Sequence, residues 1–263
     1  MGFVGTVAAV FGAVGYAWKP EGRAMEWGQI SLLLLILVVA GRYRRWRFRK
    51  WEALFVCGTE LLDAGDPGAA QRVFEDADGY ALRPPERVLT RYHLGCCEWF
   101  QGHVDAARST FLSLSRGWRT KEVPDVFVAA PDMLAACLAV QGDLVDARRW
   151  LEEAHRRRSP GVANLSVGEI FILCREERYG ATLRLLDDRR EAIEKSVVLI
   201  RKLLGVVRAF SWDALATETG GTPGEELKGL ESIRPGEFDY LGAQWPRMET
   251  FLRASGLSEK EAA

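Results

Sequence analysis

The chain has little of what most enzymes and nucleic-acid binders carry. It has 263 residues and only three histidines, His93, His103 and His155. They are too scattered to form a triad with any serine or cysteine. It has no GxxxxGK[ST], no GxGxxG after a strand and no HExxH, so the motif-borne routes to phosphate, dinucleotide and zinc chemistry are missing. GGTPGEELKG has glycines but lacks the Lys-Ser/Thr of a phosphate loop. Net charge is −1, which gives no global basic footprint for nucleic acid. Cysteines number five, an odd count that includes the adjacent pair Cys96–Cys97. That pattern does not make a disulfide framework and suits a reducing compartment. HLGCC could imitate a metal site, but no second CxxC or HxxxH supplies further ligands. The expectation is therefore no catalytic residues, no metal and no cofactor.

What is present is segregated. No Lys or Arg precedes Lys19, so the N-terminus does not read as a secretory signal. The opening MGFVGTVAAVFGAVGYAW is apolar, with Gly2, Gly5, Gly12 and Gly15 as small residues that let helix backbones approach closely in lipid. Then comes the polar turn KPEGR and a second apolar run, Trp27–Gly41. A spanning helix needs about 20 mostly apolar residues, roughly 17 at the lower end. Here Trp27 and the aromatics Tyr43, Trp46 and Phe48 extend the run as interface residues. Arg42, Arg44, Arg45, Arg47, Arg49 and Lys50 follow at once. They can snorkel to headgroups and attract anionic lipid. The reading is a membrane anchor over residues 1–50. It is either a helical hairpin with spans at about 3–18 and 27–41, or one span with an apolar N-terminal tail at the interface. Cations next to a span stay cytoplasmic, so everything after Arg42 is expected on that side of the inner membrane.

From Trp51 the chain repeats. ELLDAGDPGAAQRVFEDA, EWFQGHVDAARSTFLSL and LAVQGDLVDARRWLEEA align on Gly65, Gly102 and Gly142. Ala70, Ala107 and Ala147 align next, then Phe74, Phe111 and Leu151. Ala77 and Ala154 close two units, with Leu114 in the other. EERYGATLRLLDD is a weaker copy, with Tyr179, Thr182 and Leu186 in register and no glycine. The physical unit is a helical hairpin: Gly caps the first helix, Ala marks the close crossing, and the bulky residue fills the space one turn on. Asp66, Asp105, Asp143 and Asp146 suit the start of each second helix, and Arg156, Arg157 and Arg158 suit a helix end. One hairpin cannot bury its apolar face alone, so the units must stack.

Over roughly Trp51–Arg190 this pattern resembles the tetratricopeptide repeat family. The matches are Gly58, Ala70, Phe74 and Ala77 in the first copy, Gly95, Ala107 and Phe111 in the second, and Ala147, Leu151 and Ala154 in the third. Ala135 stands where Gly58 and Gly95 stand, and SRGWRTKEVPDVF looks like an insertion. Pro84, Pro85 and Pro160 fall near the ends of units. The resemblance implies an all-α fold, a short α-solenoid of such hairpins over 51–190 behind an N-terminal transmembrane helix or hairpin. Family ligands lie against the first helices of successive repeats. By position that points to Phe55, Thr59, Tyr92, Trp99, Asp132, Phe171 and Arg175 as partner contacts, with core packing the equal alternative for Trp99 and Phe171. Cys57, Cys96, Cys97, Cys137 and Cys174 fall in first helices, where they read as small buried hydrophobes.

Residues 191–263 are expected to cap the solenoid. Glu191–Phe210 keeps a helical apolar period and reads as one long helix, and a last helix begins near Pro246 with Trp245, Met248, Phe251 and Leu252 as its stripe. TETGGTPGEE is a break with a helix start at Thr222–Pro223, and SEKEAA is a polar tail. The expected function is a membrane-tethered scaffold, bacterial in composition, that binds a protein or peptide partner and no nucleic acid. The alternative is a structural subunit of a membrane complex, held to other membrane proteins through its Gly-rich first helix.

Overall fold

In a computed structural model the described residues are 23–158, 165–219 and 230–259. The expected span 3–18, Pro160 and the Thr222–Pro223 helix start lie outside them. The chain divides into two compact units, Met1–Arg47 and Phe48–Ala263. Every regular element among the described residues is helical. The helices are α1 Arg23–Asp63, α2 Pro67–Tyr80, α3 Pro84–Phe100, α4 Val104–Arg116, α5 Pro124–Gln141, α6 Leu144–Arg157, α7 Val167–Arg175, α8 Tyr179–Asp188, α9 Arg190–Glu194, α10 Val198–Thr219 and α11 Pro246–Ala254. Short 3₁₀ turns occupy Trp118–Glu122 and Asp239–Leu241.

In the first unit, Leu33, Leu34, Leu35, Leu37, Val38 and Val39 of α1 are all exposed, between 43% and 66%. Consecutive helical residues point about 100° apart, so this apolar surface faces every direction around the helix rather than one. Tyr43 and Trp46 stack beyond it, with ring centroids 6.0 Å apart.

In the second unit consecutive helices pack in series, α2 on α3, α3 on α4, α4 on α5, and so on to α8. Four turns with one hydrogen-bond pattern join the hairpins' two helices. Gly65, Gly102 and Gly142 sit at φ +82°, +80° and +85°. Each donates its N–H to the carbonyl three residues back, at 3.0 Å, and the next residue donates to the carbonyl five back, at 2.9 Å. This is the Schellman closure of a helix, and it needs a left-handed residue. The copy without glycine makes the same turn. Glu177 takes φ +61° and, with Arg178, repeats both bonds at 3.1 and 3.0 Å. Asp66 and Asp143 then cap the second helices, accepting from the N–H groups of Ala69 (2.9 Å) and Asp146 (3.2 Å).

Ala70, Ala107 and Ala147 are fully buried, as are Phe74 and Phe111. A β-carbon on Gly58 would come within 2.7 Å of the Phe74 ring, and one on Gly95 within 3.0 Å of Phe111. The small residue of the first helix and the large residue of the second therefore share one volume. Where the small residue is Ala135, the position of the Phe is taken by the smaller Leu151, so the pair's combined bulk stays level.

Among residues whose side chains are described, α5 is the one helix long and apolar enough to cross a membrane, and 67% of it is buried in the molecule. It is the core helix. Pro131 lies inside it and cannot donate to the Phe127 carbonyl. Arg157 of α6 replaces that bond: its guanidinium donates to Phe127 O at 3.2 Å and to Ser115 O at 2.8 Å, and its Nε to Glu153 Oε1 at 2.7 Å. It also lies 4.4 Å over the Phe127 ring. Read from sequence as a dipole-suited helix end, Arg157 is a junction of α4, α5 and α6.

The helix expected over Glu191–Phe210 is two helices. α9 stops at Glu194 and α10 starts at Val198. Ser196 Oγ donates back to Ile193 O at 2.6 Å, and Arg201 donates to the Glu194 and Ser196 carbonyls at 2.8 and 3.1 Å. Side chains, with the Ser196 N–H that also donates to Ile193 O at 3.0 Å, thus satisfy carbonyls that a continuous helix would have bonded internally. α11 begins at Pro246, as expected, and its Met248, Phe251 and Leu252 are buried. Trp245 and Phe251 pack edge-on to Phe210 of α10, at 5.3 and 5.5 Å.

Candidate interaction surfaces

The positions inferred for partner contact do not form one open groove. Trp99 and Phe171 have no exposed surface and meet edge-to-face at 5.9 Å, so they are core residues. Asp132 is buried too, and its work is internal. Its Oδ1 accepts from Ser166 Oγ, and its Oδ2 accepts from the N–H groups of Val167 (2.9 Å) and Gly168 (3.3 Å). It is an N-terminal cap for α7 supplied from α5, where a carboxylate meets free N–H donors and the positive end of the helix. Burial raises its pKa, opposed by the hydrogen bonds from Ser166 and the α7 backbone. Gly168 permits the approach, since a β-carbon there would meet the Asp132 carbonyl at 2.6 Å.

Arg175 is occupied by the chain itself. Its Nη2 donates to Gln244 O at 2.5 Å, and its guanidinium lies 4.8 Å over the Trp245 ring. The segment before α11 covers neighbouring positions as well. Tyr240 packs edge-on to Trp99 at 5.8 Å and against Gly102, and Lys202 pairs with Glu237 at 3.0 Å in a largely buried bridge. Trp99 of α3 and Arg175 of α7 therefore face residues 237–245. Sequence reasoning missed this, although FDYLGAQW, with its run of aromatics outside any repeat, is the signal that could have shown it.

Phe55 is half-buried and packs on Trp51, Phe74 and His93, with centroids 5.1, 5.6 and 4.8 Å away. Thr59 and Tyr92 are partly open, and Thr59 Oγ donates to Val56 O at 2.7 Å. The outward face of α1 beside them shows Ala53, Val56, Cys57 and Glu60 to solvent. Cys57 is thus an exposed thiol, not a buried hydrophobe, and Cys96 is only half-buried; Cys97, Cys137 and Cys174 are buried as expected. Burial pushes the Cys96 and Cys174 thiols up to about 12, well above where a thiolate nucleophile is available. His93 hydrogen-bonds Leu89 O at 2.9 Å, and burial lowers its pKa. No cluster of three or more His, Cys, Asp or Glu fit to hold a metal occurs among the described residues.

Arg42, Arg44, Arg45, Arg49 and Lys50 are exposed and Arg47 partly so, with Arg47 Nη1 donating to Tyr43 OH at 3.3 Å. Like the apolar stretch before them, these cations are spread around α1, as a collar rather than a stripe. No family of known proteins, no curated protein and no solved structure matches the chain.

Proposed function

We propose that the protein is a membrane-tethered helical-repeat scaffold of the tetratricopeptide type, held in the inner membrane and presenting its repeats to a protein partner in the cytoplasm. The observation that carries the reading is the exposed apolar stretch Leu33–Val39, followed directly by the cationic collar. Apolar on all sides, it suits immersion in hydrocarbon; a helix lying flat at an interface has a polar face as well. The collar fits the same orientation, because cations surrounding a helix meet a ring of headgroups, whereas a flat helix carries them on one side. The recurrence of one Schellman turn in four hairpins supports the repeat reading.

The partner contact belongs to Thr59, Tyr92 and the open face of α1, because Trp99 of α3 and Arg175 of α7 are taken up by residues 237–245. Two experiments test this. Membranes from expressing cells are washed with alkaline carbonate: the wild type stays in the pellet, and a Leu34→Glu/Leu35→Glu/Val38→Glu variant is released. Release of the wild type would end the anchor reading. Partners crosslinked to the full chain are then compared with those of Val56→Glu/Thr59→Arg. The expected result is loss of a specific band from a variant that keeps its helicity, and an unchanged set of bands would reject this face.

A further inference from the structure

Stacked antiparallel hairpins have two ends, and in this unit the ends differ in chemistry. One end carries the turns within hairpins, where Asp66, Asp105, Asp143 and Glu177 are exposed. The other carries the loops between hairpins. The first of these, Ala81–Arg83, shows Leu82 at 38% exposure beside Arg83, whose side chain is 56% exposed. The second, between α4 and α5, shows Trp118 at 69%, a large exposure for the most membrane-interface-seeking of side chains. Arg119 stacks on it with Cζ 5.2 Å from the ring, and Arg116 and Lys121 are exposed on either side. None of these three cations makes an ion pair among the described residues. The loop is held rather than loose: Thr120 is buried and donates to Leu114 O at 2.8 Å, and the turn packs on α3 and α5. Sequence alone made it an insertion.

The chain also enters the repeat unit at this end. Phe48 lies under the Arg83 guanidinium, with Cζ 4.7 Å from its ring, and Trp51 donates to Thr90 near the start of α3 at 3.0 Å. The cationic collar immediately precedes Phe48 in sequence.

We infer that the end of the repeat unit bearing the loops between hairpins docks on the surface of an anionic bilayer, with Trp118 at the headgroup boundary and Arg116, Arg119 and Lys121 on lipid phosphates. The occupant is lipid because the patch pairs one aromatic with three cations that outnumber the exposed carboxylates beside them, Glu122 and Asp125, which is charge-complementary to an anionic leaflet. It is also continuous in the chain with the anchor. The exposed Asp66, Asp105 and Asp143 at the opposite end are repelled by the same surface, which fixes the direction; Glu177 there is paired with Arg247 and followed by the exposed Arg178. The inference rests on the anchor reading given above.

The test uses the full chain in vesicles, with a benzoylphenylalanine photocrosslinker at one position at a time. Leu35→benzoylphenylalanine reports the anchor, Trp118→benzoylphenylalanine the docking loop, and Val145→benzoylphenylalanine, 81% exposed in wild type, the opposite end. In phosphatidylglycerol-rich vesicles, lipid adducts are expected at 35 and 118 and not at 145. The adduct at 118, but not at 35, falls roughly tenfold in phosphatidylcholine or with Arg116→Gln/Arg119→Gln/Lys121→Gln. An adduct at 35 with none at 118, or equal labelling of 118 and 145, overturns the docking and leaves the anchor standing. A protein adduct at 118 overturns it in favour of a protein partner. No lipid adduct at 35 removes the anchor reading and the docking with it.

Discussion

Among the described residues, Glu177 is the non-glycine residue that takes a positive φ. It holds φ +61° where the other three turns place glycine, and an L residue in that region costs about 1–2 kcal/mol. Glu177→Gly removes that strain and gives up only an exposed pair with Arg247 and some backbone entropy. We expect a gain of about 0.5–1 kcal/mol in urea unfolding followed by circular dichroism. Gly142→Ala is the converse, with a loss of about 1–2 kcal/mol at φ +85°. Arg157 gives a sharper test, because its partners include the carbonyl orphaned by Pro131. Arg157→Met should cost about 3 kcal/mol by leaving buried acceptors unmet. In the Pro131→Ala background the loss should shrink by about 1 kcal/mol, since the introduced alanine supplies a backbone N–H to Phe127 O. A double-mutant cycle without that coupling would contradict the assignment.

At the scale of the element, two carboxylates start helices from opposite electrostatic positions. Glu86 accepts from the N–H groups of Leu82 (2.7 Å) and Arg83 (3.0 Å) and from the Arg83 guanidinium. Burial raises its pKa, but these bonds outweigh burial and the net shift is downward. Its contribution is therefore full above the ordinary glutamate range and lost as pH falls through the lowered folded value. Glu86→Gln should cost about 1–2 kcal/mol at neutral pH and progressively less toward acid. Asp132 has a raised pKa, so the sign reverses: its titration favours the fold below the ordinary aspartate range, and that benefit is lost as pH rises through the raised folded value. Stability of the wild type relative to Asp132→Asn should accordingly decline over that window, read by urea unfolding at several pH values. The helix expected to run through Glu191–Phe210 is broken for a local reason. Ser196, through its N–H and hydroxyl, and Arg201 bond the carbonyls at the break, and the apolar period across it carries no trace of this.

For the whole molecule, the C-terminal segment is part of the packed body. Trp245 is 4% exposed between Phe210 and Arg175. Trp245→Ala should cost about 3–5 kcal/mol, as for other large aromatics truncated in a core. It should also open Arg175 and the α7 face to solvent. Limited proteolysis would then find cleavage in residues 237–245 that the wild type resists. An unchanged digestion pattern would mean that this segment is held by something other than Trp245.

The residues themselves determined the hairpins. Gly65, Gly102 and Gly142, the paired Ala and Phe, and the capping Asp66 and Asp143 act within one or two turns of chain, so their spacing alone shows the helix ends and crossings. The contrast between the Leu33–Val39 run and the cations after it was equally legible, being one of composition. Which first-helix positions stay open was decided by tertiary structure. Trp99, Asp132, Phe171 and Arg175 are positions that the resemblance to tetratricopeptide repeats pointed to for a ligand. Packing among α5, α7 and α10 and the return of residues 237–245 used them instead for core, cap and internal clasp. That outcome depends on residues distant in sequence meeting in space, and no local spacing encodes it. The same holds for Trp118, whose exposure depends on where Thr120 pins its loop.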